Sequence, residues 1–165
     1  NGMEQFVRDA RIITLYEGTT GIQAADLLGR KILQLQGVGL RHFLEEISAF
    51  CQQHAQDASL RGYIAPLAVA TRDWSDLTMA LAQRVQANPE ELGAAATDYL
   101  YYSGYIALAY MLARSVVAAE AGTQSAGFKQ AKCDTTTFYF ARILPRTLMH
   151  KAAIEAGVES LPAIA

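Results

Sequence analysis

The spacing of apolar and polar residues along this chain is that of helices. No segment keeps the strict alternation of a half-buried strand. Thr20 and Gln23 have the spacing of a capping box, so we expect a helix with Thr20 as its N-cap that ends near Gly37 or Gly39. Asp26 is spaced to pair with Arg30 in this helix. Its apolar positions recur every three or four residues and are Ile22, Ala25, Leu28, Ile32 and Leu35.

Longer helical segments follow this first helix. The pattern predicts them over residues 40–56, 60–87, 88–121 and 128–156. Asn88 can cap the third segment, with Pro89 at its first position, and Pro145 should kink the fourth. Pro66 is tolerable only in the first turns of its helix or at a kink, and residues 157–165 are expected to fray. The fold class is therefore all-α: an up-and-down bundle of about four long helices preceded by a short helix-turn segment.

The helix after Asn88 is apolar on nearly all sides. It carries a cluster of five tyrosines, at positions Tyr99, Tyr101, Tyr102, Tyr105 and Tyr110. Such a helix is buried in a bundle or between subunits. Trp74 stands among charged residues, so we expect it to be half-buried.

Composition and charge narrow the class of protein. With 165 residues the chain is long enough for one domain with a real core. Its charged residues make up only 18%, which favours a surface partly covered by another domain or subunit. The net charge is −2 and there is no basic block, so nucleic-acid binding is not expected.

The apolar stretches are too short for a membrane span. The most apolar one, residues 103–113, stops at Arg114. The first residues have no charged segment followed by an apolar run, so we expect a cytoplasmic protein. The helical pattern begins at Glu4, which is spaced to pair with Arg8. There is hardly any lead-in before it, which favours a piece cut from a longer protein.

Metal and thiol chemistry have little support. His42, His54 and His150 stand apart without metal-ligand spacing, so no metal site is expected. His42 is instead placed for a surface ion pair with Glu45 or Glu46. The two cysteines, Cys51 and Cys133, have no CxxC spacing and are expected to be reduced, packed thiols.

The most unusual stretch is a helix end, a tight turn and a helix start. Glu17 lies just before a helix N-terminus, where free backbone N–H groups can also bind an anion or the polar edge of a cofactor. Gly18 permits a close approach of the backbone. On local physics alone, Glu17 could equally be an ordinary loop carboxylate that complements the helix dipole.

Three motifs in order carry a family resemblance. They are Arg8-Asp9-Ala10-Arg11-Ile12, Tyr16-Glu17-Gly18-Thr19 and Gly21-Ile22-Gln23. This series resembles the R-D-A-[RK]-I, Y-E-G-T, I-Q signature that closes the catalytic region of acyl-CoA dehydrogenases. The rest of the chain is similar to a C-terminal helical extension of a bacterial branch of that family. The resemblance implies two parts: residues 1–37, the end of the catalytic helical domain, and residues 38–165, the extension.

The resemblance implies an activity and roles for five residues. The family uses FAD to oxidise an acyl-CoA to the trans-2-enoyl-CoA, commonly with an electron-transfer flavoprotein as acceptor. Glu17 matches the general base that takes the α-proton, and Gly18 matches a position against the substrate. Thr19, Thr20 and Gly21 match positions that approach the FAD. Because the family builds most of both sites elsewhere, the isolated chain is expected to be inactive.

The alternative is a non-catalytic helical module. On this hypothesis the bundle mediates homo-oligomerisation, for example as a dimer, or another protein interaction. The low charge and the apolar helix after Asn88 motivate it. Both hypotheses hold together if the bundle is the dimer-forming tail of the enzyme.

Overall fold

The chain folds into a bundle of helices arranged around one long central helix. The computed structural model describes residues 2–14 and 19–161, and within these ranges it contains helices and turns but no strand. The all-α prediction is confirmed. The helices are α1 (Met3–Arg11), α2 (Thr19–Ala25, continued as a π-helix over Asp26–Gln34), α3 (Val38–Gln53), α4 (Arg61–Ala87), α5 (Glu90–Ala121), α6 (Ala126–Phe138) and α7 (Thr147–Ala156).

The central helix α5 packs against α2, α4, α6 and α7, while α3 packs on α4. Three of its tyrosines, Tyr99, Tyr102 and Tyr110, are buried, so the expected core role of the cluster is confirmed for them. Tyr101, in contrast, is 46% exposed. The start of α5 is as predicted, because Asn88 Oδ1 accepts a hydrogen bond of 3.1 Å from the backbone N–H of Glu90.

Helix α2 differs from the prediction in its start and in the face it buries. It begins at Thr19, so Thr20 lies inside its first turn and is not the N-cap. The residues buried are Ala24, Leu28 and Ile32, four apart, whereas Ile22, Ala25 and Leu35 of the expected stripe are exposed. The buried face is the one that packs on the central helix α5, and the sequence of α2 alone does not show which face that is.

The next two helices follow the pattern with shifted ends. The chain leaves α2 at Gly37, whose φ of +68° suits glycine and whose N–H donates to Ile32 O at 2.7 Å. Helix α3 spans 38–53 rather than 40–56. The predicted break after it is confirmed, because Asp57 accepts from the N–H of Ser59 at 3.0 Å. Pro66 lies in the second turn of α4.

Trp74 lies in the core, and the prediction that it is half-buried is wrong. Its side chain is only 4% exposed. Its indole Nε1 donates to the hydroxyl of Tyr99 at 3.0 Å, and that hydroxyl lies 2.7 Å from Thr78 Oγ1. The sequence neighbours of Trp74 point to other faces of α4, so their charge did not predict its environment.

The predicted last helix is interrupted around its proline. Ser125 caps α6 by accepting from the N–H of Phe128 at 3.3 Å. A π-helical turn (Tyr139–Ile143) and a 3₁₀ turn (Leu144–Arg146) containing Pro145 then separate α6 from α7. After α7, residues Val158–Ser160 form another 3₁₀ turn, and the N–H of Val158 donates to Glu91 at 3.3 Å. The expectation of fraying is therefore wrong for that turn, and residues 162–165 lie outside the described part.

Candidate functional site

The residues matched to the catalytic motif lie at the start of α2. Thr19, Thr20 and Gly21 form its exposed first turn. Glu17 and Gly18 fall outside the described residues, so their predicted roles rest on the sequence. The structure thus shows one side of the candidate site, the end of α2.

This end of α2 is open, while its next turn is anchored. Ala24 is fully buried, and α2 packs on α5 from there onwards. Among the described residues, and apart from the backbone of α2 itself, no heavy atom lies within 4 Å of where a Cβ would stand on Gly21. The backbone N–H groups of a first helical turn have no partner within their helix, so this turn can approach a polar group of a ligand closely.

The first acidic residue along α2 is already neutralised. Asp26 accepts two hydrogen bonds from Arg30, at 2.5 and 3.0 Å, and lies 3.5 Å from Lys31 Nζ. The Arg30 hydrogen bond is the main cause that lowers the pKa of Asp26. The predicted Asp26–Arg30 pair is confirmed, and the lowered pKa makes Asp26 a weaker base than a free carboxylate.

Large apolar side chains are exposed in the segments that carry the motifs. Helix α1 has no buried residue, and Met3, Phe6 and Val7 are 61–69% exposed. Ile22 in the first turn of α2 is 71% exposed. The predicted Glu4–Arg8 ion pair is present at 3.6 Å, so the polar side of α1 is satisfied while its apolar side is uncovered. In the described residues, these segments form open surface rather than an enclosed pocket.

His150 and Asp98 form a pair for which the sequence gives no sign. His150 stands apart from other histidines in sequence, but its Nδ1 lies 2.7 Å from Asp98 Oδ1 and its ring stacks on that of Tyr101 at 5.4 Å. The two residues are 52 positions apart, so no local spacing could have revealed the pair. It joins α7 to α5, far along the chain from Thr19.

The cysteines have the character of packing residues. Both are free thiols; Cys51 is buried and Cys133 is half-buried. Burial raises the pKa of Cys51 to about 11, which keeps it protonated and unreactive at neutral pH. The expected surface pair of His42 with Glu45 is present at 3.5 Å. Among the described residues, no group of three or more His, Cys, Asp or Glu side chains could hold a metal ion.

In residues 2–14 and 19–161, no helix has the length and apolar character needed to cross a membrane.

Known proteins resemble this chain over most of its length. The family described as acetyl-CoA dehydrogenase C-terminal like matches residues 43–165. A 3-methylmercaptopropionyl-CoA dehydrogenase of Ruegeria pomeroyi is 36% identical over 147 residues, which cover 87% of this chain and 25% of that protein. The broad-specificity linear acyl-CoA dehydrogenase FadE5 of Mycobacterium tuberculosis is 31% identical over 165 residues, covering 93% of this chain and 27% of that protein.

The chain therefore spans about a quarter of the length of these curated relatives. The family match covers α4 to α7 and most of α3, the helices that form the bundle around α5. This helical chain belongs to the acetyl-CoA dehydrogenase C-terminal-like family.

Proposed function

We propose that this chain is the C-terminal part of an FAD-dependent acyl-CoA dehydrogenase that oxidises an acyl-CoA to the trans-2-enoyl-CoA. The family match and two acyl-CoA dehydrogenase relatives support the enzyme class. The observation that carries the proposal is the exposed apolar surface beside the motif, on α1 and at Ile22, which a larger protein would cover. Residues 1–37 would close the catalytic domain and 38–165 would form its helical extension.

The exposed turn at the start of α2 suits a cofactor edge. Thr19 and Thr20 supply hydroxyls there, and the open space at Gly21 admits a close neighbour. When bound, FAD would supply the acceptor for the hydride that leaves the β-carbon. The Thr19–Gly21 turn would position that group, and Gly18 would lie against the substrate.

Glu17 would act as the general base. Its carboxylate would take the α-proton of the acyl thioester, which requires hydrogen-bond reach to that proton. The other acidic residues of this region are engaged elsewhere: Glu4 with Arg8, and Asp9 with Gln5 at 2.7 Å. Asp26 is held by Arg30. The assignment of Glu17 itself comes from the resemblance of Tyr16-Glu17-Gly18-Thr19 to the family motif.

The base assignment is tested in the full-length parent protein. Glu17→Gln should lower kcat by about 10²–10⁴-fold, because general base catalysis contributes on that scale. Glu4→Gln is the matched control: it removes an exposed carboxylate of α1 and should leave kcat within about twofold. A Glu17→Gln enzyme that keeps turnover within about tenfold of the unaltered protein would sink the assignment.

The isolated chain is proposed to be catalytically silent. An FAD titration, followed by anaerobic addition of a medium-chain acyl-CoA, tests this directly. We expect no stoichiometric flavin binding, because the turn at Thr19 is one open face of a site. Stoichiometric binding with bleaching of the flavin by substrate would show that the chain holds a complete site.

The remaining features of the proposal concern the whole enzyme. An electron-transfer flavoprotein would take up the electrons, and the enzyme would act in the cytoplasm. Both come from the family resemblance and the composition of the chain.

A second function, homo-oligomerisation, is favoured by the outer face of α5. The exposed residues of this face recur every three or four positions and carry no charge over the 19 positions from Gly93 to Met111: Gly93, Thr97, Tyr101, Gly104, Leu108 and Met111. Leu108 and Met111 are each 54% exposed. An uncharged helix face of this length is typical of a subunit interface.

Light scattering tests the oligomerisation. The chain should be a dimer that Leu108→Glu with Met111→Glu dissociates, since two buried carboxylates would face the partner. Val69→Glu is the control, because Val69 is similarly exposed, at 49%, on α4. A chain that is strictly monomeric before substitution would argue against an interface on α5.

A further inference from the structure

A long groove runs between α3 and α4 on the surface of the bundle. Its larger part has a volume of about 720 Å³ and an adjoining part about 390 Å³. The two parts are continuous, because Ser48, Gln52 and Arg72 line both. The apolar side chains along it include Leu40, Leu44, Ile64, Ala68 and Met79.

Three arginines line this groove. Among the described residues, the guanidinium groups of Arg41, Arg61 and Arg72 have no carboxylate within ion-pair distance and no hydrogen bond. The acidic residue that lines the groove, Glu45, lies 3.5 Å from His42 instead. With one carboxylate, that of Glu45, against three guanidinium groups, the lining has an excess of positive charge.

The arginines are arranged along a line rather than around a point. Arg61 and Arg72 are 11 positions apart on α4, which puts them on the same face about 16 Å apart along the axis. Arg41 lies on α3, beside the other end of the groove. A single phosphate or carboxylate needs cations that converge on it, and this spacing does not provide that. A row of carboxylates along an extended ligand matches the spacing.

We propose that the groove between α3 and α4 is a docking site for an acidic amphipathic helix of a partner protein. The apolar face of that helix would lie on Leu44, Ile64 and Ala68. Carboxylates on its flanks would pair with the three arginines. Two neighbouring helices with a groove between them receive a third helix in this way, with its apolar positions spaced at i, i+3, i+4 and i+7.

The positive charge of the groove is the reason for proposing an acidic partner helix. Arginine is enriched at protein interfaces because its planar group binds carboxylates in a bidentate manner and stacks on apolar surface. The other arginines without an ion pair in the described part, Arg142 and Arg146, lie between α6 and α7. They flank none of the grooves described above, which makes them a matched control for non-specific attraction.

The test uses two synthetic amphipathic peptides of about 18 residues, long enough to follow α4 from Arg61 to Met79. Both have the same leucine face, and their flanks carry either glutamates or lysines. Fluorescence anisotropy measures binding to this chain at low and high salt. The glutamate peptide should bind saturably and more weakly at high salt, and the lysine peptide should not bind.

Variants locate the binding. Arg61→Glu combined with Arg72→Glu should weaken binding of the glutamate peptide by about tenfold or more. Arg142→Glu combined with Arg146→Glu should leave the Kd of that peptide within about twofold of its original value. Ala68→Trp fills the apolar floor without changing charge and should also reduce binding. Circular dichroism and thermal unfolding of each variant separate lost binding from lost folding.

Several outcomes would overturn the proposal. The first is that the glutamate peptide shows no saturable binding. The second is that the lysine peptide binds as tightly as the glutamate peptide. The third is that the Arg142 and Arg146 control variant loses as much affinity as the Arg61 and Arg72 variant. A last measurement tests binding of the chain to vesicles that contain phosphatidylserine. If they bind the chain through Arg61 and Arg72 while the glutamate peptide does not, the face is a membrane contact.

Discussion

Arg84 near the end of α4 lies beside Glu91 in the first turn of α5, with Nη2 3.7 Å from Oε2 of the carboxylate. The same guanidinium donates to the carbonyls of Ile154 and Glu155, at 2.6 and 3.1 Å. These two carbonyls belong to the last turn of α7, where a cation is favourable. One arginine therefore joins the ends of three helices.

The first prediction concerns this junction. Arg84→Leu should lower the free energy of unfolding by about 2 kcal/mol, because it leaves the carboxylate of Glu91, 8% exposed, without its cation. It also removes the capping of α7. Urea unfolding measures the loss.

The control for the junction is Arg30→Leu. It breaks an exposed pair within one helix and should cost at most about 0.5 kcal/mol. Equal losses for Arg84→Leu and Arg30→Leu would show that the Arg84 junction is no stronger than a surface pair.

The second prediction concerns Gly157, which follows α7 with a φ of +68°. A Cβ at this position would stand 3.0 Å from Oε1 of Glu91. Gly157→Ala should therefore destabilise the fold by about 1–3 kcal/mol, through backbone strain and displacement of that carboxylate. Gly104→Ala is the control, since it lies inside α5 with open space around it and should stabilise by up to about 1 kcal/mol. Thermal unfolding of the two variants should shift in opposite directions.

The third prediction concerns the buried hydroxyl of Tyr99. It accepts from Trp74 Nε1 and is within hydrogen-bond distance of Thr78 Oγ1, and Tyr99 is completely buried. Tyr99→Phe should cost about 1–3 kcal/mol, because the indole N–H loses its acceptor in the core. Tyr101→Phe removes a hydroxyl from a side chain that is 46% exposed and should have little effect on the denaturation midpoint. A Tyr99→Phe chain as stable as the unaltered one would mean that water replaces the lost hydroxyl.

The fourth prediction concerns thiol reactivity. At pH 8 iodoacetamide should label half-buried Cys133 well before Cys51, since burial shields Cys51 and raises its pKa to about 11. Mass spectrometry of time points gives the two rates. Labelling of Cys51 at the rate of Cys133 would show that α3 opens readily.

The same pKa shift predicts the direction of a pH effect. The thiol of Cys51 ionises near its usual value of 9.0 in the unfolded chain but near 11 in the folded one. Its contribution to stability is complete below pH 9 and is lost as the pH rises towards 11. Denaturant unfolding at several pH values should show this decline, and Cys51→Ala should reduce its slope.

Local spacing was enough to predict the helical class and several contacts. The Glu4–Arg8 and Asp26–Arg30 pairs and the start of α5 at Asn88 depend on residues two to four positions apart. Such contacts are set by the geometry of one helix, so the sequence contains all the information they need. The burial of Tyr99 and Tyr102 followed in the same way from the apolar character of their helix.

Some features of the candidate site could be read from the sequence, and others depend on tertiary packing. The order of the motifs around Glu17 was readable from the residues, and so was the family to which the bundle belongs. The place of Thr19 inside α2, and the uncovered apolar side of α1, depend on how these segments pack against other elements. The same holds for the groove, since Arg41 and Arg72 are brought together by the packing of α3 on α4.

What the sequence by itself determined is therefore the helical architecture, the local ion pairs and the motif with its implied chemistry. Only the tertiary structure decided which side of α2 is buried, that Trp74 lies in the core, and that Glu91 meets Arg84 and Val158. The physical reason is one of range. Helical periodicity repeats within a few residues, whereas contacts such as His150 with Asp98 join positions 52 apart and exist only once the helices pack around α5.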